Sequence, residues 1–236
     1  MSDGQENLEL LSESAYRVIR DAVVKNVLAP GFFASEREVA ERFGLSRTPA
    51  REALLRLRDE GLIEVLPRRG IRVLPLSITD VREIHQIARA LELEAALTLA
   101  AQDQTAEELA EIFADVEAME QAIETDDRDA WVAADTRFHL AIVSRSQNPR
   151  LIQSYNSLRI LTDRARLFAL HLRVLPVQST REHRAMLEAI VSGELGEIAE
   201  LYRSHWERTT NEMIEIIRNF NRQRSGEMPA SQIMVP

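Results

Sequence analysis

Residues 35–70, SEREVAERFGLSRTPAREALLRLRDEGLIEVLPRRG, constrain the fold of this chain more than any other stretch. Ser35-Glu36-Arg37-Glu38 is a capping box, in which the serine hydroxyl and the glutamate three residues on satisfy each other's backbone amides. A short helix follows, with Val39, Ala40 and Phe43 on its apolar face. Gly44-Leu45-Ser46 breaks it: glycine permits a sharp turn, and Ser46 suits the N-cap of a second helix. Pro49 falls in the first turn of that helix, where no backbone N–H is needed. Ala50, Ala53, Leu54 and Leu57 recur at three-to-four-residue spacing as far as about Glu60, and Gly61 is placed to end the run. Residues 62–66 and 71–74 are short apolar segments joined by Pro67-Arg68-Arg69-Gly70, the pattern of a hairpin with a basic tip. Two helices, a tight turn and a hairpin predict a winged helix-turn-helix.

Arg47 and Arg51 sit four residues apart and share one face of the second helix, with Thr48 beside them. Two guanidiniums and a hydroxyl there suit a helix that reads DNA, because arginine bonds guanine O6 and N7 bidentately. Helix-terminal amides and the Ser46 or Thr48 hydroxyls can take phosphates. On these residues alone, an amphipathic helix with a solvated arginine face is the commoner outcome; the basic hairpin tip turns the reading toward DNA. From SEREVAERFGLSRTPAREALLRLRDEGL to RRG-x-x-V, residues 16–74 resemble the DNA-binding domain of the GntR family of bacterial transcription regulators. The resemblance implies DNA contacts by Arg37, Arg47, Thr48, Arg51, Arg68, Arg69 and Gly70.

The net charge of −9 fits a DNA binder only once it is divided. Residues 1–75 carry equal numbers of acidic and basic side chains, so the excess acid lies downstream. There is no cysteine, which excludes disulfides and thiolate metal sites. No apolar run approaches the ~20 residues that span a bilayer, and the polar start MSDGQENLEL has no signal-peptide pattern. These features predict a soluble, cytoplasmic protein with no membrane partner.

The fold class expected is mainly α, a winged helix-turn-helix domain followed by an all-α helical bundle. Residues 1–10 are expected to be disordered and 11–75 to form the winged unit, whose first helix runs from about 12 to 27. Phe32-Phe33 is expected to anchor the loop that follows. Residues 76–220 are read as the bundle and 221–236 as a flexible tail. In the bundle, Val81, Ile84, Ile87, Ala88, Leu91 and Ala95 mark the apolar face of a helix over 79–101. Thr105-Ala106-Glu107-Glu108 is a second capping box, opening a helix to about 124. Asp126 or Asp127 caps the next, to about 146. Asn148-Pro149 opens a helix to about 172, Pro176 precedes one to 192 that Gly193 stops, and the last covers 195–220.

Asp135 and His139 are spaced i, i+4 on the third bundle helix, beside apolar Ala134, Phe138 and Ile142. His183 and His205 lie amid apolar residues on the last two helices. One carboxylate and three imidazoles turned into a bundle interior are an ordinary ligand set for Zn²⁺ or a similar divalent ion. On spacing alone, hydrogen-bonded core histidines are the commoner outcome. Residues 81–217, through AADTRFHLAIVSRSQNP, EHRAMLEAIVSGE and AELYRSHWERT, are similar to the FCD effector domain of the FadR-like branch of GntR regulators. That resemblance implies a metal held by Asp135, His139, His183 and His205, with Zn²⁺ the first choice and Ni²⁺ or Mn²⁺ the alternatives. It also implies that Arg89, in IARALELEAALTLAA, faces the cavity and pairs with an effector carboxylate. An ion pair between Arg89 and Glu92 is the ordinary alternative. His85 and His171 match no ligand position and are read as structural or surface residues.

The function implied is a ligand-responsive transcription regulator of repressor type. It would bind a pseudo-palindromic operator in double-stranded DNA as a homodimer and respond to a small organic acid. It would not be an enzyme. Two other readings stand beside it. A helical-bundle metallohydrolase is disfavoured because no H-E-x-x-H occurs, no histidine follows a glutamate by three residues, and Glu182 points away from its neighbour His183. A constitutive DNA-binding protein would leave the acidic bundle no task beyond dimerisation.

Overall fold

The computed structural model describes residues 2–170, 172 and 174–224, and the chain divides between Leu76 and Ser77 into two compact units. The end of the expected flexible tail, 225–236, and His171 lie outside the described residues.

The first unit begins with α1 (Ser2–Val24), which starts well before the expected helix and takes in the residues expected to be disordered. Glu6, Leu8, Glu9 and Leu10 are strong helix formers, and extending a helix that is already docked needs no new nucleus. The helix ends earlier than expected, because Asn26 takes a left-handed conformation (φ 58°) and leaves Val27 exposed. Next come β1 (Phe33–Ala34), α2 (Glu36–Arg42) and α3 (Arg47–Asp59), then β2 (Ile63–Leu66) and β3 (Gly70–Val73). The strands form an antiparallel sheet in the order β1-β3-β2. Strand β1 is too short to leave a period-2 signal. Alternation along it turns Ala34 inward and leaves Phe33 exposed, so Phe33 does not anchor the loop. Phe32 instead stacks beneath the Arg42 guanidinium.

Ile19 and Val23 of α1, Leu54 and Leu57 of α3, and Leu62, Ile63, Ile71 and Val73 are all essentially without solvent contact, and α1 packs against α3. Polar contacts fix α1 against α3. The Tyr16 hydroxyl donates to the Glu60 carboxylate at 2.8 Å, and the Arg56 guanidinium lies over the Tyr16 ring, 3.6 Å from its centre. Arg56 Nη1 also donates to Glu13 at 2.8 Å. The capping box at Ser35 forms in full. Ser46 occupies the N-cap of α3, but its hydroxyl makes no capping bond.

The wing turns at Pro67-Arg68, closed by Arg69 N donating to Leu66 O at 3.0 Å. Pro67 stands at the second turn position and Arg68 takes positive φ (62°) at the third, as a type II turn requires. At the wing's base, Gly70 has φ 122°, and a Cβ there would lie 2.2 Å from the Ala34 carbonyl oxygen. Only glycine lets β3 approach the β1–α2 junction so closely.

The second unit comprises α4 (Ile78–Ala100), α5 (Ala110–Glu124), α6 (Arg128–Arg145), α7 (Pro149–Leu170), α8 (Val177–Ser192) and α9 (Leu195–Arg224). The Thr105–Glu108 capping box forms but closes an isolated turn, and regular helix begins at Ala110. Asp127 caps α6, the Asn148 side chain caps α7, and Gly193 ends α8 in left-handed conformation. The last helix runs four residues past its expected end. Helix α4 packs against α6, α7, α8 and α9. Its buried stripe is Val81, His85, Ala88, Glu92, Ala95 and Leu99, while Ile87 is 49% exposed. Ile87 is one position from Ala88, a rotation of about 100° that carries it off the stripe. The stripe therefore carries two polar residues where the sequence pattern shows only apolar ones. None of the described helices is long and apolar enough to cross a membrane.

Gly70→Ala is expected to destabilise the winged unit by on the order of 1–3 kcal/mol, combining a disfavoured φ with a backbone clash. Denaturant unfolding of the variant measures it; an unchanged midpoint would mean that the β1–α2 junction can retreat without loss.

Candidate functional site

In the first unit, one groove of about 820 Å³ is lined by Arg37, Arg47, Thr48, Arg51, Arg68, Arg69 and Gly70. The start of α3 and the wing form its two sides. Ion pairing separates the arginines of this unit into two groups. Arg56 pairs with Glu13, Arg58 with Asp59 and Arg72 with Glu64, whereas Arg37 reaches Glu41 only at 3.8 Å. Among the described residues, Arg47, Arg51, Arg68 and Arg69 take part in no ion pair. The groove therefore presents four uncommitted guanidiniums beside a helix N-terminus, an arrangement suited to phosphates and guanine edges.

In the second unit, His139 of α6, His183 of α8 and His205 of α9 bring one ring nitrogen each within 4.8 Å of one another. Asp135 joins them: its Oδ1 lies 3.6 Å from His139 Nε2 and 3.8 Å from His183 Nδ1. All four are buried. Two of the imidazoles are held from behind by carboxylates. His139 Nδ1 donates to Glu92 Oε2 at 3.0 Å, and His205 Nδ1 donates to Glu182 Oε2 at 2.6 Å. Each bond fixes the orientation of its ring and turns Nε2 toward the cluster. His183 is fully buried, yet among the described residues neither of its ring nitrogens has a hydrogen-bond partner.

Glu92 itself has no solvent contact. Besides His139 it accepts from the Tyr155 hydroxyl at 2.5 Å and from Trp206 Nε1 at 3.2 Å. Glu182 is bound by Arg208, which also donates to Ser179 Oγ at 3.0 Å and to Glu212 at 2.7 Å. Arg166 of α7 places Nη1 2.9 Å from Asp135 Oδ2. That contact is off the line of an N–H bond, so it is electrostatic rather than a matched hydrogen bond.

The titration states follow from these neighbours. Burial works against charge on His139, but the Glu92 and Asp135 carboxylates outweigh it and raise its pKa to about 9. Burial, with the His205 and His139 rings beside it, pushes His183 well below the usual imidazole range. His205 is also lowered, chiefly by burial, despite Glu182. Asp135 is held below the usual carboxylate range: burial opposes this, and Arg166 leads the groups that overcome it. Glu92 is likewise lowered against its burial, by His139 foremost.

One cavity adjoins the cluster and a second lies beyond it. The inner one, of about 30 Å³, touches Asp135, His139, Arg166, Ser179, His205 and His85. The outer one, of about 170 Å³, is bordered by Arg89, Arg82, Gln86, Thr210 and Asn211. His85 and Trp206 border both, their rings meeting edge to face at 5.0 Å, and His85 Nδ1 bonds Thr210 Oγ1 at 2.9 Å. Arg89 thus sits on the outer cavity and not on the histidine cluster. Glu92 is committed inside the bundle, and among the described residues Arg89 has no ion-pair partner.

Comparison with known proteins accords with this two-part architecture. Residues 11–73 match the domain described as "Bacterial regulatory proteins, gntR family", and residues 83–208 match the FCD domain. The chain belongs to the GntR family. It is 44% identical over 133 residues to an uncharacterized HTH-type transcriptional regulator in the TAR-I ttuE-ttuC' intergenic region of Agrobacterium vitis, covering 56% of this chain and 78% of that one. It is 32% identical over 193 residues to a probable D-xylose utilization operon transcriptional repressor of Paenarthrobacter nicotinovorans, covering 79% and 83%. The solved structure of E. coli McbR/YncC superposes with a TM-score of 0.72 at 25% identity, covering 87% of this chain and 97% of that one. As a GntR-family member with an FCD domain, the chain is a transcription regulator and not an enzyme.

For this GntR regulator, a divalent metal suits the donor set. Asp135 and three imidazoles offer one oxygen and three nitrogens, and among the described residues the fully buried His183 has no hydrogen-bond partner for either ring nitrogen. Sequence reasoning missed Glu92, Glu182 and Arg166. An i, i+3 relation to Arg89 made Glu92 look like half of a surface pair, although it falls on the same stripe as Val81 and Ala88. Arg166 had a clearer signal, an arginine inside the apolar run RARLFAL. His85, read as structural or surface, is a buried wall shared by both cavities.

Glu92→Ala is expected to destabilise the second unit by about 3–5 kcal/mol, because it strands His139, Tyr155 and Trp206 donors in the core. Thermal or urea unfolding measures this, and a loss below about 1 kcal/mol would mean that solvent can replace the carboxylate.

Proposed function

We propose that this GntR-family regulator is a homodimeric repressor whose helical domain binds a small organic acid with the help of a divalent metal. The observation that carries the reading is His183, buried, with no hydrogen-bond partner for either ring nitrogen among the described residues, and grouped with the donor atoms of His139, His205 and Asp135. Asp135, His139, His183 and His205 would hold the ion, with Zn²⁺ the first candidate and Ni²⁺ or Mn²⁺ next. When bound, such an ion supplies positive charge and open coordination positions that attract a carboxylate. Arg89, uncommitted on the outer cavity, receives the acid's outer polar end. Effector binding works by favouring one arrangement of the DNA-binding units over another.

The groove of the first unit would lie on operator DNA, with Arg47, Thr48 and Arg51 reading or clamping the major groove and Arg37, Arg68, Arg69 and the Gly70 backbone meeting the phosphate chain or minor groove. A homodimer presents two such units, which matches a pseudo-palindromic site in double-stranded DNA. The repressor assignment draws on the Paenarthrobacter relative, which is described as a probable repressor.

Two measurements test the reading. Arg51→Ala should weaken operator binding by roughly 1–3 kcal/mol and relax base preference at its position; gel-shift titration against operator variants checks it, and unchanged affinity and preference remove Arg51 from the interface. His183→Ala should lower the metal content of the purified protein, read by elemental analysis. Full retention of metal by that variant would sink the four-ligand assignment.

A further inference from the structure

We propose that Arg166 is an anion-anchoring residue of the bundle site: its guanidinium rests on Asp135 in the metal-free protein and turns to a small carboxylate when a divalent cation engages Asp135. The proposal rests on the metal reading above and adds a residue that neither spacing nor family likeness assigns.

Three observations support it. Arg166 is almost buried and borders the inner cavity together with Asp135, His139 and His205, so its charge faces the space a ligand would fill. Its closest approach to Asp135 is 2.9 Å from Nη1 to Oδ2, with no aligned N–H bond to that oxygen. Arginine binds carboxylates most strongly as a two-pronged fork, so this contact uses little of what the guanidinium can give. Asp163, one helical turn away on α7, lies 3.7 Å from Nη1 and tethers the side chain at the cavity wall.

Asp135 is also the one carboxylate of the ligand set. A divalent cation drawn to Asp135 and the imidazoles would come to lie close to the guanidinium, and two positive centres in a poorly solvated interior repel strongly. Arginine cannot relieve this by losing its proton. An anion in the inner cavity relieves it by standing between the two charges. Arg166 therefore couples the two binding events: it opposes the cation until a carboxylate is present, and it holds that carboxylate afterwards. The inner cavity's small volume and its Ser179 wall suit one carboxylate group rather than a bulky head.

The test uses the full chain in wild-type, Arg166→Met and Arg166→Lys forms. Calorimetric titration with Zn²⁺ alone reads cation affinity, and titration of acetate into Co²⁺-loaded protein, followed by visible absorption, reads anion affinity. The expected result has Arg166→Met binding Zn²⁺ at least as tightly as wild type. The same variant should bind acetate weaker by about tenfold or more, the loss of a charge-assisted hydrogen bond. Arg166→Lys, which keeps the charge without the fork, should fall between them and serves if the methionine variant does not fold. A Co²⁺ spectrum indifferent to acetate in the wild type overturns the proposal, as does acetate affinity within about twofold of wild type in the variants. If wild-type protein takes up no Zn²⁺, the metal reading and this role fall together; Zn²⁺ uptake with an acetate response independent of Arg166 removes this role alone.

Discussion

The helical unit depends on one buried carboxylate. Glu92 is cut off from water in the middle of α4, where an ionised side chain without partners would cost several kcal/mol. It is tolerated because His139, Tyr155 and Trp206, from three different helices, all donate to it. The same bonds that satisfy the charge hold α6, α7 and α9 around α4 and orient the His139 ring. Packing and ligand chemistry are therefore not separable here: the group that orients a donor nitrogen is also a tie between helices.

A second carboxylate repeats the device nearer the surface. Glu182 fixes His205 from behind and is in turn held by Arg208 and, through that guanidinium, linked to Glu212. Among the described residues His183 has no such backing, and its ring is stacked on Phe138 at 4.4 Å. The inner and outer cavities meet at His85 and Trp206, and Trp206 also donates to Glu92. A ligand pressing on the outer cavity thus acts on a side chain that reaches the central carboxylate directly.

Much of this could be read in the residues. The Ser35 capping box, Gly61, Gly193 and Asn148-Pro149 punctuate the chain at positions where helices do start or stop, because capping is local chemistry, whereas the Thr105 box closes only an isolated turn. The groove arginines were legible for the same reason, since spacing within one helix and one hairpin fixes where they point. What escaped depended on tertiary placement. Strand β1 is two residues long and exists only because β3 pairs with it. Glu92 and Arg166 are charged residues in the interior, and hydrophobic periodicity assigns charge to the outside. Their partners come from helices far along the chain, so no local pattern announces them.

The division of the arginines in the winged unit has a consequence for how the regulator behaves in solution. Arg56, Arg58 and Arg72 are already neutralised by acidic neighbours. Arg47, Arg51, Arg68 and Arg69 line the groove without such partners. Each of these four that meets a phosphate displaces condensed counterions from the duplex, with an affinity slope of about −0.9 per contact against the logarithm of salt. Occupancy of a binding site would then follow the ionic strength of the cell as well as the state of the helical domain. The acidic remainder of the chain works in the opposite direction, discouraging attachment anywhere but through that groove.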